Sequence, residues 1–153
     1  IVLYGRITFQ LMEYWRVVVE NPTGNKATDE FAKIMDKIPK IVFSNTLKNV
    51  EWESAKLAHQ TLEQEVLELK KSRNSGSKDI LVGSRSLIVT LMNLNLIDEF
   101  QLCVHPIILR SGLTPLLKNI NDSINLKLLK TKIFSCGAIT LYYEPTKKMT
   151  KKV

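Results

Sequence analysis

Three short apolar runs, each followed by small polar residues, organise the first two-thirds of the chain. They cover residues 1–4, 41–43 and 80–82. A continuous apolar run of this length is typical of a strand that is buried on both faces of a sheet. We therefore predict three buried strands, lying side by side and parallel.

Helical periodicity fills the spaces between these strands. Thr28 is predicted to cap a helix that Pro39 ends. Thr61 and Gln64 have the spacing of a capping box at the start of another helix. After the third run, leucines recur at spacings of four and three and form the apolar face of a third helix: Leu87, Leu91 and Leu94.

The last third of the chain changes to a period of two. Residues 100–104 alternate between apolar and polar positions, and residues 126–134 and 138–144 are two strands joined by a Ser-Cys-Gly turn. Alternating strands and helices followed by an antiparallel hairpin predict an α/β fold. We expect a mixed, mostly parallel sheet with helices on both faces.

Each of the three parallel strands ends in residues that suit a bound anion. Parallel strands place their carboxyl ends at one edge of the sheet, which is where open α/β sheets bind ligands. Hydroxyls, amides, guanidinium groups and the N–H groups of a helix start all bind phosphate. The residues at these ends are Gly5, Arg6 and Thr8; Ser44, Asn45 and Thr46; and Gly83, Ser84, Arg85 and Ser86. One such end alone is more often an ordinary turn, whereas three together favour an anionic cofactor.

The net charge of +7 does not by itself indicate a nucleic-acid partner. Part of it comes from residues 147–153, which we expect to be a solvated basic tail. Nucleic-acid binding would require basic residues interleaved with aromatics or grouped on one helix face, and neither pattern is present. A modest positive excess fits a small anionic ligand equally well.

The length of 153 residues suits one domain, which we assign to residues 1–146. Cys103 and Cys136 are too few for a disulfide framework, and no apolar run is long enough to cross a membrane, so we expect a cytoplasmic protein without membrane contact. His59 and His105 have no ligand partners at metal-binding spacing, so we expect no metal site. Because the sequence begins at Ile1, inside an apolar strand and without methionine, we expect further residues before it.

Five segments, taken in order, resemble the dihydrofolate-reductase-like family. Residues 5–9 are similar to its Gly-Arg-x-Thr-Tyr/Trp segment, residues 40–47 to its Lys-Val-Val-Phe-Ser-x-Thr-Leu strand end, and residues 79–87 to its glycine elbow. Residues 96–112 resemble the Leu-Ile-Asp-Glu…Pro-Val-Leu-Gly-x-Gly segment, which is typical of the RibD C-terminal reductase of riboflavin biosynthesis and of its stand-alone bacterial relatives. Residues 131–137 are similar to the closing hairpin. The resemblance covers nearly the whole chain.

This resemblance implies a dihydrofolate-reductase-like three-layer fold and an NADPH-dependent oxidoreductase. The enzyme would transfer hydride to a CH–NH, C=N or ribityl-type substrate, similar to 5-amino-6-(5-phosphoribosylamino)uracil or dihydrofolate. It would also be a homodimer. Carried over position by position, the family's cofactor contacts fall in three groups: Gly5, Arg6 and Thr8 at the phosphates; Ser44, Asn45 and Thr46 at the adenosine ribose and its 2′-phosphate; and Gly83, Ser84, Arg85, Ser86 and Leu87 at the pyrophosphate and nicotinamide side.

The chain also departs from the family pattern. The family has a strand, a loop and a helix ahead of the position of Ile1, its Gly-Gly pair is here Gly83-Ser84, and a loop glycine is here Arg110. No residue is assigned as the proton donor. A second hypothesis therefore stays open, in which a non-catalytic domain of the same fold binds a nucleotide, or nothing, and acts through dimerisation.

Overall fold

A computed structural model describes residues 1–72, 79–110 and 116–146. The predicted basic tail, residues 147–153, and parts of two predicted connections, residues 73–78 and 111–115, lie outside the described residues. The chain divides into two compact units, Ile1–Leu91 and Met92–Val153.

The first unit alternates strands and helices, as the hydrophobic pattern predicts. Its strands are β1 (Val2–Gly5), β2 (Lys40–Phe43), β3 (Ala55–Leu57) and β4 (Leu81–Val82). Its helices are α1 (Arg6–Met12), α2 (Tyr14–Glu20), α3 (Lys26–Lys37), α4 (Leu62–Lys71) and α5 (Arg85–Asn93), the last two residues of which are counted with the second unit. All four strands are parallel, in the order β3-β2-β1-β4.

The central strands β1 and β2 are buried on both faces. One face belongs to an apolar cluster that includes residues from both strands and from the surrounding helices and connections: Val2, Tyr4, Val42, Phe9, Met35 and Trp52. On the other face, the register partners Leu3 and Ile41 are also buried. Burial on both faces confirms the predicted α/β architecture and explains the continuous apolar runs in the sequence.

Two local predictions are wrong. The strand at residues 80–82 is not buried throughout, because β4 is a two-residue strand at the edge of the sheet and Leu81 is 47% exposed. Helix α3 begins two residues before Thr28, because the side chain of Asn25 accepts the Thr28 N–H and caps the helix instead. The predicted capping box at Thr61 is confirmed.

The second unit contains the antiparallel strands β5 (Phe100–Val104), β6 (Leu126–Ile133) and β7 (Ile139–Pro145), in the order β5-β7-β6. The turn between β6 and β7 has Gly137 at a φ of +83°, a conformation that favours glycine. These strands form a sheet of their own and do not continue the parallel one, which differs from the single mixed sheet expected from the sequence. None of the helices in the described ranges combines the length and apolar character needed to cross a bilayer.

Candidate functional site

The carboxyl ends of β2, β1 and β4 lie next to one another at one edge of the parallel sheet. Register pairs Gly5 with Phe43 on one side of β1 and Leu3 with Val82 on the other. The residues that follow these ends are therefore neighbours, although they are far apart in sequence. The sequence analysis predicted this arrangement, in which the carboxyl ends of the three strands meet at one edge of the sheet.

The start of α1 leaves backbone donors available at this edge. Gly5 is the N-cap residue in extended conformation, no side chain caps the helix, and its first turn has no acidic residue. The first N–H groups of a helix have no partner within the helix. Arg6 is exposed, and its guanidinium Nη1 donates to Gln10 Oε1 at 3.2 Å. Thr8 is half-buried.

Ser84 joins the β4–α5 turn directly to the β1–α1 turn. Its Oγ accepts the Gly5 N–H at 2.7 Å, across 79 residues of sequence. Its carbonyl accepts the Ile88 N–H at 2.9 Å, so Ser84 directly precedes α5 and accepts a hydrogen bond from its first turns. The serine is 2% exposed. A Cβ on Gly5 would lie 3.6 Å from Ser86 Oγ, so the two turns are in close contact. The β1–α1 and β4–α5 turns, which we call the two elbows, are thus held in one fixed arrangement.

We predict that Ser84→Ala lowers the free energy of unfolding by about 1–3 kcal/mol, because the half-buried Gly5 N–H loses its acceptor. The exposed neighbour provides the control, since Ser86→Ala should change stability by less than about 0.5 kcal/mol. Urea unfolding of both variants measures the difference. Equal losses in the two variants would show that the hydrogen bond to Gly5 does not hold the elbows together.

The end of β2 is shaped by a serine that bonds to its own turn. Ser44 Oγ accepts the N–H groups of Thr46 at 3.2 Å and of Leu47 at 3.0 Å. The hydroxyl of Ser44 is therefore already engaged as an acceptor. Asn45 and Thr46 are both exposed at this strand end, and the Thr46 hydroxyl lies 3.4 Å from Ser44 Oγ.

In the first turn of α5, two residues could contact a ligand with their side chains and a third only with its backbone. Arg85 and Ser86 are exposed, whereas the side chain of Leu87 is buried at 8% exposure. Leu87 can therefore face a ligand only with its backbone. Gly83 is exposed, and a Cβ there would lie 3.5 Å from the ring of Tyr4. Burial raises the pKa of Tyr4 beside this turn.

A polar cluster that sequence reasoning missed lies at the opposite, amino end of β2. Lys40 is 1% exposed, and its Nζ donates to the carbonyls of Asp36 at 3.3 Å and Ile38 at 2.7 Å and to Ser54 Oγ at 2.7 Å. The same Nζ lies 3.9 Å from the centre of the Trp52 ring. Burial lowers the pKa of Lys40 to about 8, against a smaller opposing effect of Asp36. Because this cluster lies away from the carboxyl ends of the strands, we assign it a structural role.

No group of three or more histidine, cysteine or carboxylate side chains that could hold a metal ion occurs within the described ranges. His105 and Cys103 are both exposed in the second unit, where His105 Nε2 lies 3.7 Å from Cys103 Sγ. Two side chains of this kind are too few for a structural metal site.

Comparison with known proteins identifies the family. Residues 2–140 match the RibD C-terminal domain. The chain is 37% identical over 142 residues to the uncharacterized protein YyaP of Bacillus subtilis strain 168, covering 93% of this chain and 72% of YyaP. Its fold is similar to that of a putative riboflavin biosynthesis protein from Shewanella sp. PV-4, with a TM-score of 0.66 at 19% identity over 95% of this chain and 73% of the other.

Two further solved structures share the fold. A pyrimidine reductase-like protein from Corynebacterium diphtheriae has a TM-score of 0.54 at 13% identity and is 75% covered. RibD from Acinetobacter baumannii has a TM-score of 0.52 at 14% identity and is 46% covered. In both comparisons 95% of this chain is covered.

The α/β fold, with its parallel four-stranded sheet, is the dihydrofolate-reductase-like fold. Within that fold class, the chain belongs to the RibD C-terminal domain family. The predicted family and fold class are thereby confirmed.

Proposed function

We propose that this chain is an NADPH-dependent reductase that acts on a pyrimidine- or pterin-like small molecule. The observation that carries the proposal is the Ser84–Gly5 hydrogen bond, which holds two helix starts together at the ligand-binding edge of the sheet. Membership of the RibD C-terminal family supports a reductase, as does the structural similarity to a putative riboflavin biosynthesis protein and to a pyrimidine reductase-like protein.

The residues at this edge fit an anionic cofactor. The first turns of α1 and α5 have no acidic side chain, so no fixed negative charge opposes a phosphate there. Arg6 and Arg85 are both exposed beside these turns. Guanidinium groups bind phosphate oxygens through paired, charge-assisted hydrogen bonds. We assign the pyrophosphate of the cofactor to this part of the edge.

The end of β2 supports a preference for NADPH over NADH. Asn45 and Thr46 are exposed at the end of β2, one strand away from Arg6. Amide and hydroxyl side chains both donate hydrogen bonds to phosphate oxygens. In the proposed complex they bind the 2′-phosphate of the adenosine ribose, and Ser44 holds the turn that presents them.

The chain's own part in the reaction is to bind and orient. When bound, NADPH supplies a hydride to the substrate. The eleven assigned residues are glycines, hydroxyls, an amide, two arginines and a leucine, and none of them is a general acid with a pKa near neutrality. Because no general acid is assigned, the second hypothesis stays open, in which the chain is a nucleotide-binding domain that does not catalyse a reaction.

Calorimetry with NADPH and with NADH tests the proposal most directly. We expect NADPH to bind at least about tenfold more tightly than NADH, since charge-assisted hydrogen bonds to one phosphate contribute about 1.5–3 kcal/mol. Turnover of diaminopyrimidine and pterin substrates would then be measured by the loss of NADPH absorbance. Binding without turnover of either class would favour the non-catalytic alternative, and the absence of binding would overturn the cofactor assignment.

Arg6→Ala should weaken NADPH binding about tenfold, because one charge-assisted contact to phosphate is lost. Arg16→Ala is the matched control. Arg16 also lies on the helical segment after β1, but its Nη1 is 4.0 Å from Glu13 Oε1 in an ordinary surface pair. Calorimetry on both variants measures the contrast. Equal affinities for the two variants would remove Arg6 from the site.

A cytoplasmic location and the absence of a nucleic-acid partner stay predictions.

A further inference from the structure

Tyr4 places a phenol in the apolar interior, directly below the edge of the sheet where the three strands end. It is the third residue of β1 and belongs to the same apolar cluster as Phe9 and Trp52. Only 4% of the residue is exposed. A tyrosine buried to this extent usually has a hydrogen-bond partner for its hydroxyl. The surroundings of this hydroxyl therefore show whether Tyr4 serves packing alone.

The Tyr4 hydroxyl has no hydrogen-bond partner within the described part of the chain. Every fully buried side-chain nitrogen or oxygen in that part of the chain does have one. The hydroxyl oxygen is therefore not fully buried, and the small exposed fraction of Tyr4 includes it. A ring that is otherwise enclosed thus reaches solvent at its polar end.

The β4–α5 turn lies beside this polar end. The last register pair of β1 and β4 joins Leu3 to Val82, which brings Tyr4 next to Gly83. A Cβ on Gly83 would lie 3.5 Å from Tyr4 Cε1 and 4.0 Å from Cδ1. Because Cε1 is bonded to the ring carbon that carries the hydroxyl, the hydroxyl end of this ring edge is the nearer one. Gly83 is itself exposed, so the ring meets the outside at the carboxyl edge of the sheet.

The glycine at position 83 provides open space and is not required by the backbone. Among the described glycines, Gly24 and Gly137 have positive φ angles, whereas Gly83 does not. A Cβ at 3.5 Å from the ring would make an ordinary van der Waals contact. An alanine would therefore fit the free chain. What glycine adds is an uncovered ring edge, which allows a ligand to approach the Tyr4 hydroxyl closely.

An anion is the ligand that suits this opening. A phenol donates one hydrogen bond, and burial raises the pKa of Tyr4, which favours the protonated, donating form. Arg6 and Arg85 are exposed in the helix starts on either side of the opening, and neither first turn carries an acidic side chain. The opening therefore lies in the part of the edge to which the pyrophosphate is assigned.

We propose that Tyr4 is a further cofactor-binding residue, whose hydroxyl donates a hydrogen bond to the pyrophosphate through the opening that Gly83 leaves. The inference rests on the proposed function and adds to the site a buried residue of β1 itself. The hydrogen bond exists only in the complex, because the hydroxyl has no partner in the free chain. Tyr4 should therefore contribute its hydroxyl to affinity and only its ring to stability.

Tyr4→Phe tests this separation, since it removes the hydroxyl and keeps the ring. Calorimetry should show NADPH and NADH each bound about tenfold more weakly, because both carry the pyrophosphate and lose one hydrogen bond to a charged group. The thermal midpoint should stay within about 2 °C of the wild-type value. Tyr14→Phe is the matched control, the same change at a 56% exposed tyrosine on α2, and it should alter neither quantity.

Gly83→Ala tests the opening from the side of the turn. The added methyl group should cover the hydroxyl and weaken both dinucleotides about tenfold, again without lowering the thermal midpoint. In the double variant with Tyr4→Phe, the loss should stay close to that of either single variant, because both changes remove the same hydrogen bond. A double loss equal to the product of the single losses would contradict an opening that serves Tyr4.

The outcomes separate this inference from the proposed function. Wild-type affinity in Tyr4→Phe would overturn the inference and leave the cofactor assignment in place. A midpoint lowered by more than about 5 °C in Tyr4→Phe would assign the hydroxyl a structural role and would also overturn it. If the wild-type chain bound neither NADPH nor NADH, both the inference and the proposed function would fail.

Discussion

Ser86→Asp is expected to weaken NADPH binding by about 30-fold without loss of fold. Ser86 is exposed in the first turn of α5, and its Oγ lies against the β1–α1 turn. A carboxylate there would stand beside the proposed pyrophosphate, and like charges at this range cost roughly 2 kcal/mol near a protein surface. The same carboxylate would interact favourably with the start of the helix, stabilising it by about 0.3–1 kcal/mol. Cofactor affinity and stability should therefore change in opposite directions.

Ser86→Asn is the matched control for this substitution. It has nearly the size of aspartate without the charge, so it should retain most of the affinity. Calorimetry measures binding, and thermal unfolding measures stability. NADPH and NADH should weaken equally, since both carry the pyrophosphate. Unchanged binding in the aspartate variant, or an equal loss in the asparagine variant, would move the pyrophosphate away from the start of α5.

Lys40→Ala is expected to lower the free energy of unfolding by about 3–5 kcal/mol, the largest stability effect in the first unit. The substitution removes the donor to the Asp36 and Ile38 carbonyls and leaves a cavity beside Trp52. Lys37→Ala, at an exposed position in the last turn of α3, should cost less than about 0.5 kcal/mol. Urea unfolding compares the two variants. Comparable losses would contradict a structural role for the buried ammonium.

The stability of the wild-type chain should also depend on pH through Lys40. Its pKa is about 8 in the folded chain and near its usual 10.5 in the unfolded chain. Between these values the unfolded chain binds more protons, so the free energy of unfolding rises with pH. The rise is about 2 kcal/mol between about pH 8 and pH 10. Lys40→Met should abolish this rise, because methionine does not titrate. The same slope in both proteins would assign it to other groups.

The periodicity of the sequence predicted most of the strands and helices, because local spacing reflects which faces are buried. The apolar runs at residues 1–4 and 41–43 form β1 and β2, and Thr61 and Gln64 form the predicted capping box. The same reasoning failed at residues 80–82, where an apolar run is only a short edge strand with Leu81 exposed. Composition records that residues are apolar, but position in the sheet decides whether both faces are covered.

The glycine and hydroxyl residues after each strand predicted the candidate site, since parallel strands bring their carboxyl ends to one edge. The contact that joins two of these ends could not be predicted. A serine before a helix ordinarily caps that helix, and only the packing of β4 beside β1 places the Gly5 N–H against Ser84 Oγ.

The sequence by itself determined the order of strands and helices, the family and the chemistry offered at the strand ends. Tertiary structure alone decided which hydroxyl links the two elbows, that Lys40 is buried among carbonyl groups, and that the last three strands form a sheet of their own. The reason is that local spacing encodes periodicity, whereas a hydrogen bond across 79 residues or the exposure of a sheet face depends on which elements become neighbours.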